Sequence, residues 1–573
     1  MNKWIGTIAV VTAISLTLPA VHPTAAKSHP RDPATQGTEA LKLDLLARYD
    51  SGAGMDRGGA EIVAIDSRHQ RVYSVNGDAK AVDVLDLSAL SGGQTQWKKS
   101  KRISLDSFDL GDFQPGDVTS VTVHPDGKWV AAAVPADPQT DDGIVVILDA
   151  DGHYLNHVQV GALPDMVTVT PDGTRILSAN EGESNDDYTI DPEGSVSIID
   201  VSKGVNQATV TTVGFGDLKP SQVDKDVRVF GKGASFAQDM EPEYIQVTPD
   251  GNTAYVALQE NNAIAKLNLK EERFERVYGL GVQDHSVQGN ELDASDRDGR
   301  IHIRNWPVLG LYQPDGFDLF QAKGKTYLIT ANEGDARGYK GFSEEARVKD
   351  LVHPDKAGAK IRLNAKHYEG FNQQELDRMM EEGLLEDDQL GRLRVSAVEG
   401  KKDGVYEALY SFGSRSFSIW EVKGDKLKQV YDSGSDFERI IADVLPEHFN
   451  SNHRETSFDT RSDDKGPEPE SAVVGQVGDR LYAFIGLERV GGVMVYDVTQ
   501  PNTPHFVTYF NSRDFSVQTG DVQPGDSVTE AGDLGPEGLA FLPADQSPTG
   551  DAILLVANEV SGTVAAISIK ERK

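Results

Sequence analysis

One pattern returns along most of the chain, and it restricts the possible folds more than any other feature. It runs as a proline, an acid, a short apolar strand, a turn, a second strand that often ends in Asn-Glu, and a third strand. The copies read PDMVTVTPDGTRILSANEG from Pro164, PEYIQVTPDGNTAYVALQEN from Pro242, PDGFDLFQAKGKTYLITANEG from Pro314 and PESAVVGQVGDRLYAFIGLER from Pro469. The last is PEGLAFLP from Pro536, followed by AILLVANEVSGTVAAISI. Two looser copies come first, EIVAIDSRHQRVYSVN from Glu61 and TSVTVHPDGKWVAAAV from Thr119. Short strands rich in Val, Ile, Leu, Tyr and Thr, joined by Pro-Asp-Gly turns, form antiparallel hairpins. Several copies add an outer strand, at 157–160, 210–215, 274–280 and 506–510. Four-stranded units repeating at spacings of roughly forty residues or more predict an all-β fold, a β-propeller. The count is seven blades, or eight if the interrupted fifth copy holds another.

The last copy stops after its third strand. Near the start, LDLLARYDSG (43–52) shares Tyr-Asp-Ser-Gly with the outer strand KQVYDSG (428–434) of the fifth copy. The N-terminal strand is therefore expected to complete the final blade, which removes an open sheet edge. The fifth copy is interrupted over 335–402, where 343–351 and 372–385 have helical character. Asn372 and Glu375 stand at capping-box spacing, and Leu376, Met379, Met380 and Leu384 form one apolar stripe. Residues 42–573 read as one propeller domain carrying this small helical insertion.

Ahead of it, Lys3, the apolar run 4–18 and the small residues Thr24, Ala25 and Ala26 have the layout of a signal peptide over 1–26. A retained N-terminal anchor is the alternative, and 27–41 is expected to be a flexible segment. No later stretch is apolar for long enough to cross a bilayer, and no anchor motif follows the last strand. A secreted or loosely surface-associated protein, without a transmembrane anchor after cleavage, is expected. The 573 residues include no cysteine, which excludes thiolate nucleophiles, Cys-ligated zinc and iron–sulfur clusters. A chain this long buries a large core without disulfides. The net charge of −34 repels nucleic acid and favours cations or basic partners.

The recurring acids are the first candidates for chemistry. Glu61, Asp165, Glu243, Asp315, Glu470 and Glu537 occupy equivalent positions, with Thr119 in the second copy, and should ring one mouth of the central channel. A second set, Glu181, Glu260, Glu333, Glu488 and Glu559, follows the second strands. Crowded carboxylates need cations, water or backbone donors to offset repulsion. Metal or cationic-ligand binding and a blade-locking role both satisfy that need. Oxygen-rich loops form the next group. Asp293, Asp296 and Asp298 precede Gly299 as in a calcium loop, although Ala294 and Asn305 break the EF-hand pattern. Asp186 and Asp187, and Asp459, Asp463 and Asp464, are further candidate calcium ligands. His285, His302, Arg304, Arg337 and Arg347 are a candidate anion-binding set beside them. No Gly-x-Ser-x-Gly, His-Glu-x-x-His, Walker or dinucleotide motif occurs.

LDASDRDGRIHIRNWPVLGLYQPD (292–315), TANEGDARGYKGFSEEARVKDL (330–351), SFDTRSDDKGPEPE (457–470) and GPEGLAFLP with LLVANEVSGTV (535–564) resemble the choice-of-anchor I family. The likeness covers nearly the whole chain after the leader. The family comprises exported bacterial surface proteins and is similar to mesenchyme-specific cell-surface glycoproteins of biomineralising animal cells. The resemblance implies a surface propeller with calcium-linked roles and a cell-surface, mineral or cationic ligand. It transfers no catalytic residues. Two functions remain open at this point, a calcium-associated binding module and a calcium-dependent phosphoesterase in which carboxylate-held cations activate water. Fold alone does not choose between them.

Overall fold

The computed structural model describes residues 37–572 except 39, 354, 355 and 357. The leader read over 1–26 lies outside the described residues, as does most of the stretch 27–41. The described end of that stretch is docked: Thr38 N donates to Phe506 O at 3.3 Å, and the strand Leu41–Asp50 begins at once.

Seven sheets follow one another, at 63–104, 120–162, 164–214, 245–279, 317–432, 469–510 and 536–571; six are four-stranded and antiparallel, and the seventh is completed by Leu41–Asp50, which Gln96–Trp97 flanks in parallel. Strand order runs outward with the chain. The innermost strands (Val63–Asp66, Ser120–Val123, Pro164–Val169, Ile245–Val247, Phe317–Ala322, Pro469–Val477 and Pro536–Leu542) each touch the next, and the last touches the first. Closure is as expected: Leu41–Asp50 pairs antiparallel with Thr563–Glu571, from Leu41 opposite Glu571 to Asp50 opposite Thr563.

Period-two alternation explains the packing. Each central strand is apolar on both faces because a neighbouring sheet covers each side. In Arg71–Asn76, Val72 joins the cluster shared with the seventh sheet, while Tyr73 and Val75 join the one shared with the second. The same division recurs between every adjacent pair of sheets, giving one apolar wedge per gap. The Pro-Asp-Gly turns end at Gly127, Gly173 and Gly251, whose φ angles of 66°, 70° and 67° lie where a Cβ is costly.

The interruption of the fifth sheet is wider than 335–402, since its second strand ends at Ala331 and its third begins at Phe417. Together with residues 280–312 it builds a separate core around Trp306, Leu309, Val348, Leu376 and Leu393. The segment 343–351 is only partly helical. Glu345–Arg347 pairs with Arg394–Ser396, so sheet pairing overrides helix propensity until the short helix α1 (Val348–Val352). Helix α2 (Gln373–Glu381) carries the expected capping box. Asn372 accepts from Glu375 N at 3.1 Å, and Glu375 accepts from Asn372 N at 2.9 Å. Leu376 and Leu384 are buried, and Met379 and Met380 pack half-buried against the same core, so the stripe is a packing face. Helix α3 (Asp436–Val444) was not foreseen. Its Phe437, Ile440 and Ile441 fill the gap between the fifth and sixth sheets.

Candidate functional site

The Pro-acid pairs at Pro164, Pro469 and Pro536 open their innermost strands, and those at Pro242 and Pro314 stand just ahead of Ile245–Val247 and Phe317–Ala322. Proline is tolerated there because the first residue needs no ladder donor. In the third, sixth and seventh sheets the register slips just after that proline, so the acid sits in a bulge. A bulge turns a side chain away from the sheet face. Backbone bonds stitch neighbouring starts together: Gly316 N donates to Glu470 O at 3.1 Å and Gly538 N to Glu61 O at 2.9 Å. Thr119, which replaces the acid in the second copy, spends its hydroxyl on Pro164 O at 2.7 Å. The Asn-Glu pair divides its labour. Asn180 Nδ2 bonds Ser195 and Ser197 within its own sheet, and Asn332 does the same with Ser416 and Ser418. The following Glu faces the axis.

The result is a carboxylate-lined channel mouth with two spaces of about 320 Å³ and 550 Å³, which share Asp165, Asp315, Glu537 and Glu559 as walls. Glu61 lines the first and Glu181, Glu243, Glu333, Glu470 and Glu488 the second. Glu181, Glu243 and Glu260 bring three oxygens within 4.8 Å of one another, as do Asp315, Glu333 and Glu470. Buried Glu243 Oε2, Glu260 Oε2 and Glu470 Oε2 have no hydrogen-bond donor.

Burial, then mutual repulsion, pushes these carboxyls up. Asp165 rises to about 7 beside Asp315, and Glu260 to about 7 beside Asp335. Glu333 rises to about 8, and Glu488 and Glu559 to about 7, with their nearby cations lowering them only in part. Glu61, Glu181, Glu243, Glu470 and Glu537 are also raised well above the usual carboxylate range by the same causes. Glu468 is the exception. Burial pushes it up, but Arg461, Lys465 and Arg489 outweigh burial and hold it well below the usual range.

Groups whose folded values lie above their unfolded ones favour folding while protonated. That stabilisation is complete below about pH 4 and is lost as the pH rises through about 7 to 8. In chelator, the melting temperature is therefore expected to fall between about pH 5 and pH 8. A flat profile in scanning calorimetry would contradict the crowding described here.

The other predicted residues are disposed differently. Asp296 takes both oxygens to Arg392, at 2.7 and 3.2 Å. Asp463 pairs with Arg347 and Arg392, and Asp464 with Arg461 at 2.9 Å. Asp186 and Asp187 are exposed on a loop, where Lys340 holds Asp186. Asp293 is buried, accepts from the backbone of Ser295 and His302, and is pushed up to about 7 by burial and by Glu438. Asp298 accepts from Arg300 N and His302 Nδ1, each at 3.1 Å. The five basic residues do not share a cavity. Arg337 is buried on Asp239 and Glu241, Arg347 lies on Asp463, and Arg304 stacks on Trp306 at 3.7 Å. His302 serves Asp298. His285 donates from Nδ1 to Asn290 O at 2.6 Å, and burial lowers it to about 4.

Sequence reading missed the cationic side of the mouth. Lys465 bonds Glu333, and Arg489 bonds Glu468 at 2.7 Å and Glu488 at 2.8 Å. His453 lies between Arg489 and Glu488 and is lowered to about 3 by burial and Arg489. One signal was available: Glu241-Pro242-Glu243 and Glu468-Pro469-Glu470 repeat an acid two places ahead of the ring acid. In both cases that extra acid is a buried ion-pair partner.

A family model described as the choice-of-anchor I domain matches residues 61–501. Gigasin-3a of Magallana gigas is 34% identical over 189 residues, 32% of this chain and 65% of that protein. A mesenchyme-specific cell surface glycoprotein of Strongylocentrotus purpuratus is 29% identical over 304 residues, 48% of this chain and 37% of that protein. The chain thus spans less than two thirds of the length of either relative. Among solved structures, the Cps50 (Swd1) β-propeller domain of Myceliophteria thermophila is 9% identical and overlays with a TM-score of 0.44, covering 90% of this chain and 97% of that one.

Proposed function

The chain belongs to the choice-of-anchor I family, and on that premise we propose that it is an extracellular, surface-associated binding module whose channel mouth takes up divalent cations, calcium foremost. The carrying observation is the pair of three-carboxylate groups whose oxygens lie within 4.8 Å, with Glu243, Glu260 and Glu470 each keeping a buried oxygen unpartnered. A cation there replaces the protons that crowding otherwise forces onto these groups. All-oxygen donors suit calcium over softer metals. The leader-like N-terminus supports export, and a relative named as a cell surface glycoprotein supports the location. Glu181, Asp315 and Glu537 remain partly open to solvent, so a bound ion keeps positions through which a mineral face or a partner's carboxylate can join.

Binding is favoured over phosphoester hydrolysis by the disposition of the basic groups. Arg337 and Arg347 are held in ion pairs away from the cavity, and Lys465 and Arg489 are occupied by Glu333, Glu468 and Glu488.

The test is calorimetric titration of calcium into chelator-treated protein. Uptake is expected to release protons and to strengthen as the pH rises. Glu243→Gln with Glu260→Gln is expected to weaken uptake at least about tenfold, since two anionic ligands of one ion are lost. Absence of calcium or magnesium uptake at about 1 mM, the range of extracellular sites, would refute the reading. Hydrolysis of a generic phosphomonoester that depends on calcium would favour the enzyme instead.

A further inference from the structure

We infer that the two carboxylate groups of the channel mouth are not equivalent: Glu181, Glu243 and Glu260 receive the divalent ion, and the ammonium of Lys465 is a tethered cation that keeps a second ion out of Asp315, Glu333 and Glu470. The inference rests on the channel-mouth reading and assigns the residue that fixes how many ions the mouth holds, and where.

The two groups have like geometry and unlike neighbours. In each, three oxygens from three side chains lie within 4.8 Å of one another. Glu333, however, has both oxygens engaged. Its Oε1 accepts from Lys465 Nζ, and its Oε2 accepts from Gln259 Nε2 at 2.8 Å. Lys465 Nζ also donates to Gly334 O and lies 3.3 Å from Glu468 Oε2, so three acceptors hold the ammonium in place. Burial opposes its charge, but Glu333 and Glu468 outweigh burial and hold it well above the usual lysine range. A divalent ion entering this group would meet a fixed positive charge within hydrogen-bond distance of one of its three ligands. The remaining cluster, Glu333, Glu468 and Glu488, is neutralised in the same way. Arg461 and Arg489 bond Glu468, and Arg489 reaches Glu488 at 2.8 Å.

The chain's own cations stop short of the first group. Arg337, whose charge is felt by Glu260, spends its bonds on Asp239 and Glu241. Arg228 donates to the backbone O of Glu260 at 2.7 Å and pairs with Glu344 and Glu399. Glu243 is 8% and Glu260 7% exposed, yet Oε2 of each has no hydrogen-bond donor. Two of the three carboxylate clusters are thus offset from within the chain, and one is left for an ion from solution. Glu470 Oε2 also lacks a donor. With Asp315 it forms the half-site that a second ion would complete once Lys465 no longer occupies Glu333.

The test counts calcium on the full-length protein by plasma mass spectrometry after equilibrium dialysis against about 1 mM calcium, a concentration that fills extracellular sites. Lys465→Met is expected to hold about one calcium more than wild type, and Glu243→Gln/Glu260→Gln about one fewer. In chelator Lys465→Met should melt below wild type, because Glu333 loses its ammonium. Calcium should then raise its melting temperature by more than it raises that of wild type, since an added ion stabilises the folded state. Lys465→Gln, which keeps a donor for Glu333, is counted alongside in case the methionine variant does not fold, and should also gain an ion. Equal calcium content in wild type and a folded Lys465 variant would overturn the inference and leave the mouth reading intact. So would a Glu243→Gln/Glu260→Gln variant that keeps the wild-type content. No calcium on any of these proteins would refute the mouth reading and this inference with it.

Discussion

Deletion of residues 41–50 is expected to abolish cooperative folding of the whole propeller rather than trim one strand from it. Leu41–Asp50 is the fourth strand of the seventh sheet, held between Thr563–Glu571 and the short Gln96–Trp97, and its side chains enter two apolar wedges. Ala47 and Tyr49 face the first sheet, whereas Leu41 faces the sixth. Tyr49 is buried and donates to Asp83 Oδ2 at 2.6 Å, while Arg48 grips Asp533 through two bonds of 2.7 and 2.8 Å. Without the strand, Thr563–Glu571 becomes an unpaired edge of eligible donors and acceptors, a template for aggregation. Two wedges also lose a wall, and in a ring each wedge depends on its neighbours. The expected result is insoluble protein, or soluble protein without a calorimetric unfolding peak. A peptide of residues 40–51 added in trans should restore the peak. Milder variants keep the argument open to test. Tyr49→Ala should cost about 3–5 kcal/mol, the range for truncating a buried aromatic side chain. Tyr49→Phe should cost about 0.5–1.5 kcal/mol, because Asp83 keeps Arg102 and Asn76. A truncated chain that still melts cooperatively close to the intact protein would refute the closure argument.

The features legible in the sequence are the ones that repeat. A Pro-acid pair means little once, but at Pro164, Pro242, Pro314, Pro469 and Pro536 it always precedes the same apolar pattern, so its position in one blade is its position in all. The carboxylates around the axis could be placed together for that reason. Closure was legible because Tyr49-Asp50-Ser51-Gly52 echoes Tyr431-Asp432-Ser433-Gly434. Contacts that occur once carry no such echo. Whether Asp296 meets a metal or Arg392, and whether Asp463 meets a metal or Arg347, depends on how the insertion folds back. Local composition is the same in either case. That Asp459 comes close enough to Asp293 to be pushed up by it was hidden for the same reason, although both loops were individually visible as oxygen-rich. The widened insertion and α3 show a further limit. Phe437, Ile440 and Ile441 have helical spacing, but a nine-residue helix between strands is easily read as part of a loop.

Arg337→Met is expected to destabilise the protein by about 3–5 kcal/mol, the cost of removing one partner from a buried ion pair. The side chain of Arg337 is 1% exposed. Its Nε and Nη2 reach Glu241 Oε2 at 2.9 and 2.7 Å, and Nη1 bonds Asp239. Nη2 also donates to Asp239 O at 2.8 Å, and the guanidinium lies 4.6 Å from the Phe230 ring centroid. Methionine replaces the volume and none of the charge, which leaves two buried carboxylates with one remaining set of backbone donors, Phe230 N and Gly231 N on Asp239. Lysine should rescue poorly, because one ammonium cannot reproduce the forked contact. Burial already raises Glu241 well above the usual carboxylate range, against the opposing pull of Arg337. Losing that pull raises it further, so the destabilisation should shrink as the pH falls towards 5 and grow as it rises. Adding Glu241→Gln to Arg337→Met should recover part of the loss at neutral pH and little at low pH. Glu241 is two residues from Glu243, so the single variant should also weaken calcium uptake at the channel mouth. Denaturant unfolding across pH measures the first effect and titration the second. A loss that is independent of pH would mean that packing against Phe230, rather than charge, is what Arg337 contributes.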